Sequence, residues 1–272
     1  MENYIAYHLN STDEVVIALL SVFEFESFYE EDGITTGYIT EKNLELAQGE
    51  IDRLLLDQGI SFSTECIVPQ NWNELWESSF QPVEVNLFCR VRADFHPFDD
   101  RYRHDIIINP KMAFGTGHHA TTWMMMAQME SLNFDGKKIL DYGAGTGILA
   151  ILASKCGAEY TDAVDIELEA YHNMLENFEI NHITNALPIH GTLQNINPAS
   201  VYDIILANIN RNILLESADQ LYHHTSAQGT ILLSGILEED QLLIQTRFTE
   251  TGFRFIDAIQ RDSWACIRFD KD

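Results

Sequence analysis

Residues Leu140 to Gly147 read LDYGAGTG and are followed by the apolar run ILAILA, so an apolar strand enters a glycine turn that opens a helix. This is a nucleotide-loop signature, and it commits the region around it to an α/β fold. Gly143, Gly145 and Gly147 alternate, whereas a dinucleotide loop places its third glycine or alanine one residue later, where this chain has Ile148. Asp141 lies ahead of the loop, and Asp165 ends the next strand 22 residues after Gly143. The pattern fits S-adenosylmethionine better than NAD. Two further stretches accompany it: NPKMAFGTGHHATT from Asn109 to Thr122, and ILANIN from Ile205 to Asn210.

The glycine loop sits in a region of strand-helix alternation that runs from Lys137 to the last strand pair, around Phe253 to Ile259 and Trp264 to Phe269. Such alternation predicts a mostly parallel sheet covered on both faces, with ligands at the carboxyl ends of the strands. The first 66 residues read differently. Their apolar spacing gives strand, helix, a hairpin around EEDG, a second helix over about 41–58 closed by Gly59, and a strand near Ser61 to Val68. That βαββαβ order is the ferredoxin-like arrangement, whose open sheet face commonly docks a partner. Residues 67–80, with Trp72, Leu75, Trp76 and Phe80 at helical spacing, are expected to form a linker helix ahead of the second domain at 81–272. The expected fold class is therefore α/β, a Rossmann-like domain preceded by a small α+β domain.

Charge and cysteine content narrow the partners. Forty-two acidic against sixteen basic residues give a net charge of -26, which repels nucleic acid and attracts basic proteins. No apolar run approaches the ~18 residues of a membrane span, and the amino terminus lacks the basic flank and apolar core of a signal peptide, which points to the cytoplasm. Cys66, Cys89, Cys156 and Cys266 show no CxxC pairing and are expected to be buried thiols; no metal site is expected.

The candidate site residues follow from the motifs. Gly143 and Gly145 let the backbone approach a ligand closely, and the Asp165 carboxylate can accept both ribose hydroxyls of an adenosine. Asp141 either reaches the cofactor's amino group or braces the loop, whereas Asp162, nearer the strand start, is expected to be solvated. In AFGTGHHATT, Phe114 and Gly115 belong to a cofactor-binding turn, and Thr121 or Thr122 is expected to cap the following helix while contacting the methionine end of the cofactor. Met124, Met125, Met126 and Met129 read as core filling. His118 and His119 are adjacent and poorly placed for one metal, and His223 and His224 are expected on a half-exposed helix. The amide of Asn208 can orient a substrate amine for in-line attack on a sulfonium methyl, a reaction that needs positioning and desolvation rather than a metal.

With these residues in place, the chain closely resembles the bacterial PrmA family, the methyltransferases of ribosomal protein L11. The resemblance covers nearly the whole length through MAFGTGHHATT, LDYGAGTGILAI, VDIELEAYHNMLENFEIN, ANI at Ala207 to Ile209 and LLSGIL at Leu232 to Leu237. It implies a ferredoxin-like recognition domain joined to a class I methyltransferase domain, with cofactor contacts on Thr122, Gly143, Asp165 and Asn208. Lys111, His118, Ala120, Ala144 and Glu167-Leu168 depart from the family's usual residues without removing a mapped contact.

The expected activity is methyl transfer from S-adenosylmethionine to lysine amines, and to the amino-terminal amine, of this basic ribosomal protein. A monomer is expected, with neither membrane nor direct nucleic-acid contact. The alternatives are methylation of another protein or of an adenine amine, and a non-catalytic S-adenosylmethionine-binding module. Glutamine and adenine methylation usually carry an NPPY-like element that Ile209-Asn210 do not supply. A dehydrogenase is disfavoured by the glycine spacing.

Overall fold

The computed structural model describes residues 3–31, 33–67, 81–109 and 115–272. The chain divides into two compact units, Met1–Ser79 and Phe80–Asp272. The linker helix expected over 67–80 lies outside the described residues, apart from Ile67, which ends a strand.

In the first unit the elements run β1 (Tyr4–Leu9), α1 (Glu14–Leu20), β2 (Ser27–Glu31), β3 (Ile34–Thr40), α2 (Glu41–Asp57) and β4 (Phe62–Ile67). The four strands form an antiparallel sheet in the order β2-β3-β1-β4. Helix α2 starts where the Thr40 hydroxyl accepts the Asn43 N–H at 3.2 Å, and its buried stripe Leu44, Ile51 and Leu55 meets Tyr7, Leu9 and Ile39 of the sheet. Cys66 overturns the expectation of four buried thiols. It lies on the edge strand β4 and is exposed, while Cys89 and Cys266 are buried and Cys156 is half-buried.

The second unit opens with a small sheet of β5 (Val83–Val85), β6 (Cys89–Arg92) and β7 (His104–Ile107), antiparallel between the first two and parallel between the last two. There follow α3 (Ala120–Met129), β8 (Lys138–Tyr142), α4 (Ile148–Lys155), β9 (Tyr160–Asp165), α5 (Leu168–Ile180), β10 (Ala186–His190), β11 (Tyr202–Asn208), α6 (Arg211–His224), β12 (Thr225–Leu237), α7 (Gln241–Thr251), β13 (Phe253–Arg261) and β14 (Trp264–Lys271). The large sheet has the order β10-β9-β8-β11-β12-β14-β13, with β14 antiparallel to both neighbours.

Alternation along the strands explains why helices cover both faces. Ile204 and Leu206 of β11 join a core with Met124, Met125, Met126 and Met129 of α3 and the apolar residues of α4. Their neighbours Ile205 and Ala207 join another with Leu214, Ala218, Ile244 and Phe248 of α6 and α7. The strand order reverses between β8 and β11. A ligand crevice therefore opens beyond the carboxyl ends of those two strands.

Candidate active site

The crevice is built from three strand ends: the glycine loop after β8, Asp165 closing β9, and Asn208 closing β11. Gly143, Gly145 and Gly147 all adopt left-handed φ values, 76°, 56° and 77°. At Gly143 a Cβ would run into the Ile209 side chain, so the requirement for glycine there is both conformational and steric. Gly235, at φ 83°, faces the same residue from β12, where a Cβ would strike the Ile209 backbone. Ile209, one residue beyond Asn208, is thus clasped between two glycines, which fixes the strand end that carries Asn208. The role of Gly235 was not legible in the sequence; its only signal is its place inside the family stretch LLSGIL.

Two carboxylates organise the loop. Asp165 accepts the Gly145 N–H at 2.8 Å and the Glu167 N–H at 3.0 Å, so it orients the cradle and sits at the lip of it. Asp141 is fully buried. Its Oδ2 accepts the Ala150 N–H at 3.0 Å and so braces the first turn of α4, while Oδ1 has no hydrogen-bond partner among the described residues. Burial pushes its pKa up to about 7 against the pull of the Ala150 N–H, and the Asp165 charge adds to the rise. Asp162 is not solvated as expected: it is buried, because the hydroxyls of Tyr160 and Tyr202 donate to it at 2.9 and 2.6 Å and replace its water.

Gly115 of the upstream stretch meets the same loop. Gly115 (φ 105°) accepts the Thr146 hydroxyl at 2.6 Å through its carbonyl. Phe114 and Lys111 lie outside the described residues. Thr121 and Thr122 do not cap α3, because the helix begins at Ala120 and both fall within its first turn; His119 caps it instead, accepting from the Thr121 N–H at 3.3 Å. The Thr122 hydroxyl is left to accept from Asn208 Nδ2 at 3.2 Å. That bond orients the Asn208 amide, whose Oδ1 is buried without a hydrogen-bond partner among the described residues. Asn208, His119, Thr121, Gly235 and Trp264 line a cleft of about 270 Å³. His119 meets the Trp264 ring edge-on at 4.9 Å. His224, expected to be half-exposed, is buried with Nδ1 2.8 Å from the Ser200 carbonyl; His223 is exposed.

A polar ladder on α5 and its C-terminal cap residue escaped the sequence reading. Asn173, Asn177 and Asn181 recur every four residues, all buried. Asn177 donates to the Thr146 carbonyl at 2.9 Å and to Asn173 Oδ1 at 2.6 Å, and its own Oδ1 accepts the Asn109 N–H at 3.0 Å. Asn181 donates to the Ile107 carbonyl at 2.6 Å and accepts the Ile107 N–H at 2.9 Å. One helix face therefore ties β7 and the start of the upstream stretch to the glycine loop. The readable signal was an asparagine at every fourth position on a face that ought to be apolar.

The family model described as ribosomal protein L11 methyltransferase (PrmA) matches residues 11–272. The chain belongs to this family. A curated ribosomal protein L11 methyltransferase of Bacteroides fragilis is 34% identical over 263 residues, covering 95% of this chain and 94% of the relative. One of Porphyromonas gingivalis is 36% identical over 270 residues, covering 97% and 92%. Among solved structures, a ribosomal protein L11 methylase from Lactobacillus delbrueckii subsp. bulgaricus is 28% identical with a TM-score of 0.64, over 71% of this chain and all of that one. A methyltransferase from Pyrococcus furiosus, 15% identical with a TM-score of 0.51 over 61% of this chain, shares the fold. Within the PrmA family this chain thus keeps the class I methyltransferase sheet and brings Thr122, Gly143, Gly145, Asp165 and Asn208 to one crevice.

Proposed function

We propose that the chain moves methyl groups from S-adenosylmethionine to the amines of ribosomal protein L11, its lysine side chains and its amino-terminal amine. The carrying observation is the Asn208 amide, oriented by Thr122 and holding a buried oxygen that has no partner among the described residues, in the cleft beside the glycine loop. A buried acceptor of that kind is costly unless a donor arrives, and an amine N–H is such a donor. The residues present also fit the cofactor: the glycine cradle excludes a Cβ, Asp141 Oδ1, which has no partner among the described residues, lies behind the loop, and the Asp165 carboxylate stands at its lip to accept ribose hydroxyls. When bound, S-adenosylmethionine supplies a methyl group activated by its sulfonium centre.

The protein's work is positioning. Asn208 Oδ1 accepts an N–H of the neutral amine and turns its lone pair toward the methyl, and the apolar wall of Ile209 and Trp264 removes water and disfavours the charged ammonium. A basic substrate also suits the first unit, since residues 1–66 carry 14 acidic side chains against two basic ones. We read this first unit, with its βαββαβ order, as the ferredoxin-like domain that captures the basic substrate. The enzyme acts in the cytoplasm as a monomer.

Asn208→Ala should cut kcat by about 100-fold, an effect of the size seen when one positioning donor or acceptor is lost, while the S-adenosylmethionine Kd changes by less than about threefold. Lost cofactor binding with normal turnover at saturating cofactor would reduce Asn208 to a cofactor contact. Asp165→Ala should weaken cofactor binding by about 10- to 100-fold, because charge-assisted hydrogen bonds are worth roughly 1.5–3 kcal/mol. Calorimetric titration decides it, and an unchanged affinity removes Asp165 from the site.

A further inference from the structure

Helices α4 and α5 both start at the cofactor loops and end at the opposite side of the sheet, where they border a second cleft of about 400 Å³. The eight residues of α4 alone separate the two by about 12 Å. This cleft gathers Arg103, His104, Lys155 and His182 together with Phe98. Asp105, the one acid lining it among the described residues, is already committed: Arg92 holds both of its oxygens through Nε and Nη2 at 2.9–3.0 Å. Among the described residues neither Arg103 nor Lys155 forms an ion pair or a side-chain hydrogen bond.

The usual explanation for a lysine at the end of a helix is that it caps the last carbonyls. Here backbone amides already do so. The carbonyls of Leu152, Ala153 and Ser154 accept from Cys156, Ala158 and Gly157, and on α5 those of Asn177, Phe178 and Glu179 accept from Asn181, Ile183 and His182. Lys155 is half-buried, so burial pushes its pKa down; Asp105 pulls it back and Arg92 pushes it further. His104 is likewise held below its ordinary value by burial and by the charges of Arg103 and Lys155, which places both cations within electrostatic reach of one ring. Two uncommitted cations in one cleft stand out in a chain with 42 acidic and 16 basic residues.

We propose that this cleft binds a phosphorylated small molecule of mononucleotide size, its phosphate held by Lys155 and Arg103 and its planar base laid on Phe98. Arg103 offers a planar fork for phosphate oxygens and Lys155 a point charge. Phe98 is 66% exposed and supplies an aromatic face of the kind on which bases stack. The volume lies within the range of small-ligand pockets. A polyanion is disfavoured by the surrounding field of a protein with net charge -26.

The test is calorimetric titration of the full chain with adenosine 5′-monophosphate, with S-adenosylhomocysteine saturating the methyl-transfer site so that the nucleotide cannot enter there. Saturable binding is expected. Lys155→Gln and Arg103→Gln, which keep most of each stem, should each weaken it by about tenfold, with S-adenosylmethionine affinity unchanged as the check on folding. Phe98→Ala should weaken the nucleotide but not inorganic phosphate. Nucleotide affinity unchanged in both charge variants, no saturation below about 10 mM, or tighter binding of a ribo-oligonucleotide than of the mononucleotide overturns the proposal.

Discussion

Gly143→Val should abolish measurable S-adenosylmethionine binding, a loss of at least about 100-fold, while the sheet of the first unit keeps its native circular-dichroism and amide NMR signature. The size of the effect comes from two penalties that coincide at one atom. The residue holds φ at 76°, which costs a residue with a Cβ roughly 1–2 kcal/mol, and more for a β-branched one. The added Cβ would also run into the side chain of Ile209, whose backbone is packed closely against Gly235 of β12. Either the loop or the strand end must move, and each carries part of the proposed cofactor site. Calorimetric titration reads the result directly. Wild-type affinity in this variant would mean that the loop does not form the cradle.

How much of this was legible beforehand differs by kind of residue. The helices on both faces of the sheet could be read because strand periodicity and helical periodicity differ, and because β11 is apolar at every position from Ile204 to Ala207. Strand-end residues were equally readable, since Asp165 and Asn208 terminate apolar runs. Residues whose role depends on a long-range partner were not. Asp162 looks solvated in sequence because nothing local reveals Tyr202, 40 positions away, donating at 2.6 Å. The cap of α3 falls on His119 rather than on a threonine because the chain turns into the helix two or three residues earlier than hydroxyl preference alone indicates. The Asn173-Asn177-Asn181 ladder was visible as spacing but had no meaning until β7 was seen beside it.

Removing the first unit should separate the two halves of the activity. A chain beginning at Gln81 retains Gly143, Gly145, Asp165 and Asn208, and should bind S-adenosylmethionine within about threefold of the full chain. It should also fold, because among the described residues both apolar clusters of the second unit are drawn from residues 85–269 and that of the first unit from residues 7–60, with no shared member. Methylation of ribosomal protein L11 should nevertheless fall by about 100- to 1,000-fold in kcat/KM at micromolar substrate. The loss follows from tethering: a substrate captured by the acidic first unit presents its amines at an effective concentration of roughly millimolar, whereas the shortened enzyme meets them only by free diffusion. A short lysine peptide too small to reach the first unit should be turned over equally, and equally slowly, by both chains. That comparison distinguishes lost capture from a damaged active site. If the shortened chain methylates ribosomal protein L11 as fast as the full one, the first unit is not the recognition domain, and the catalytic crevice must select its substrate unaided.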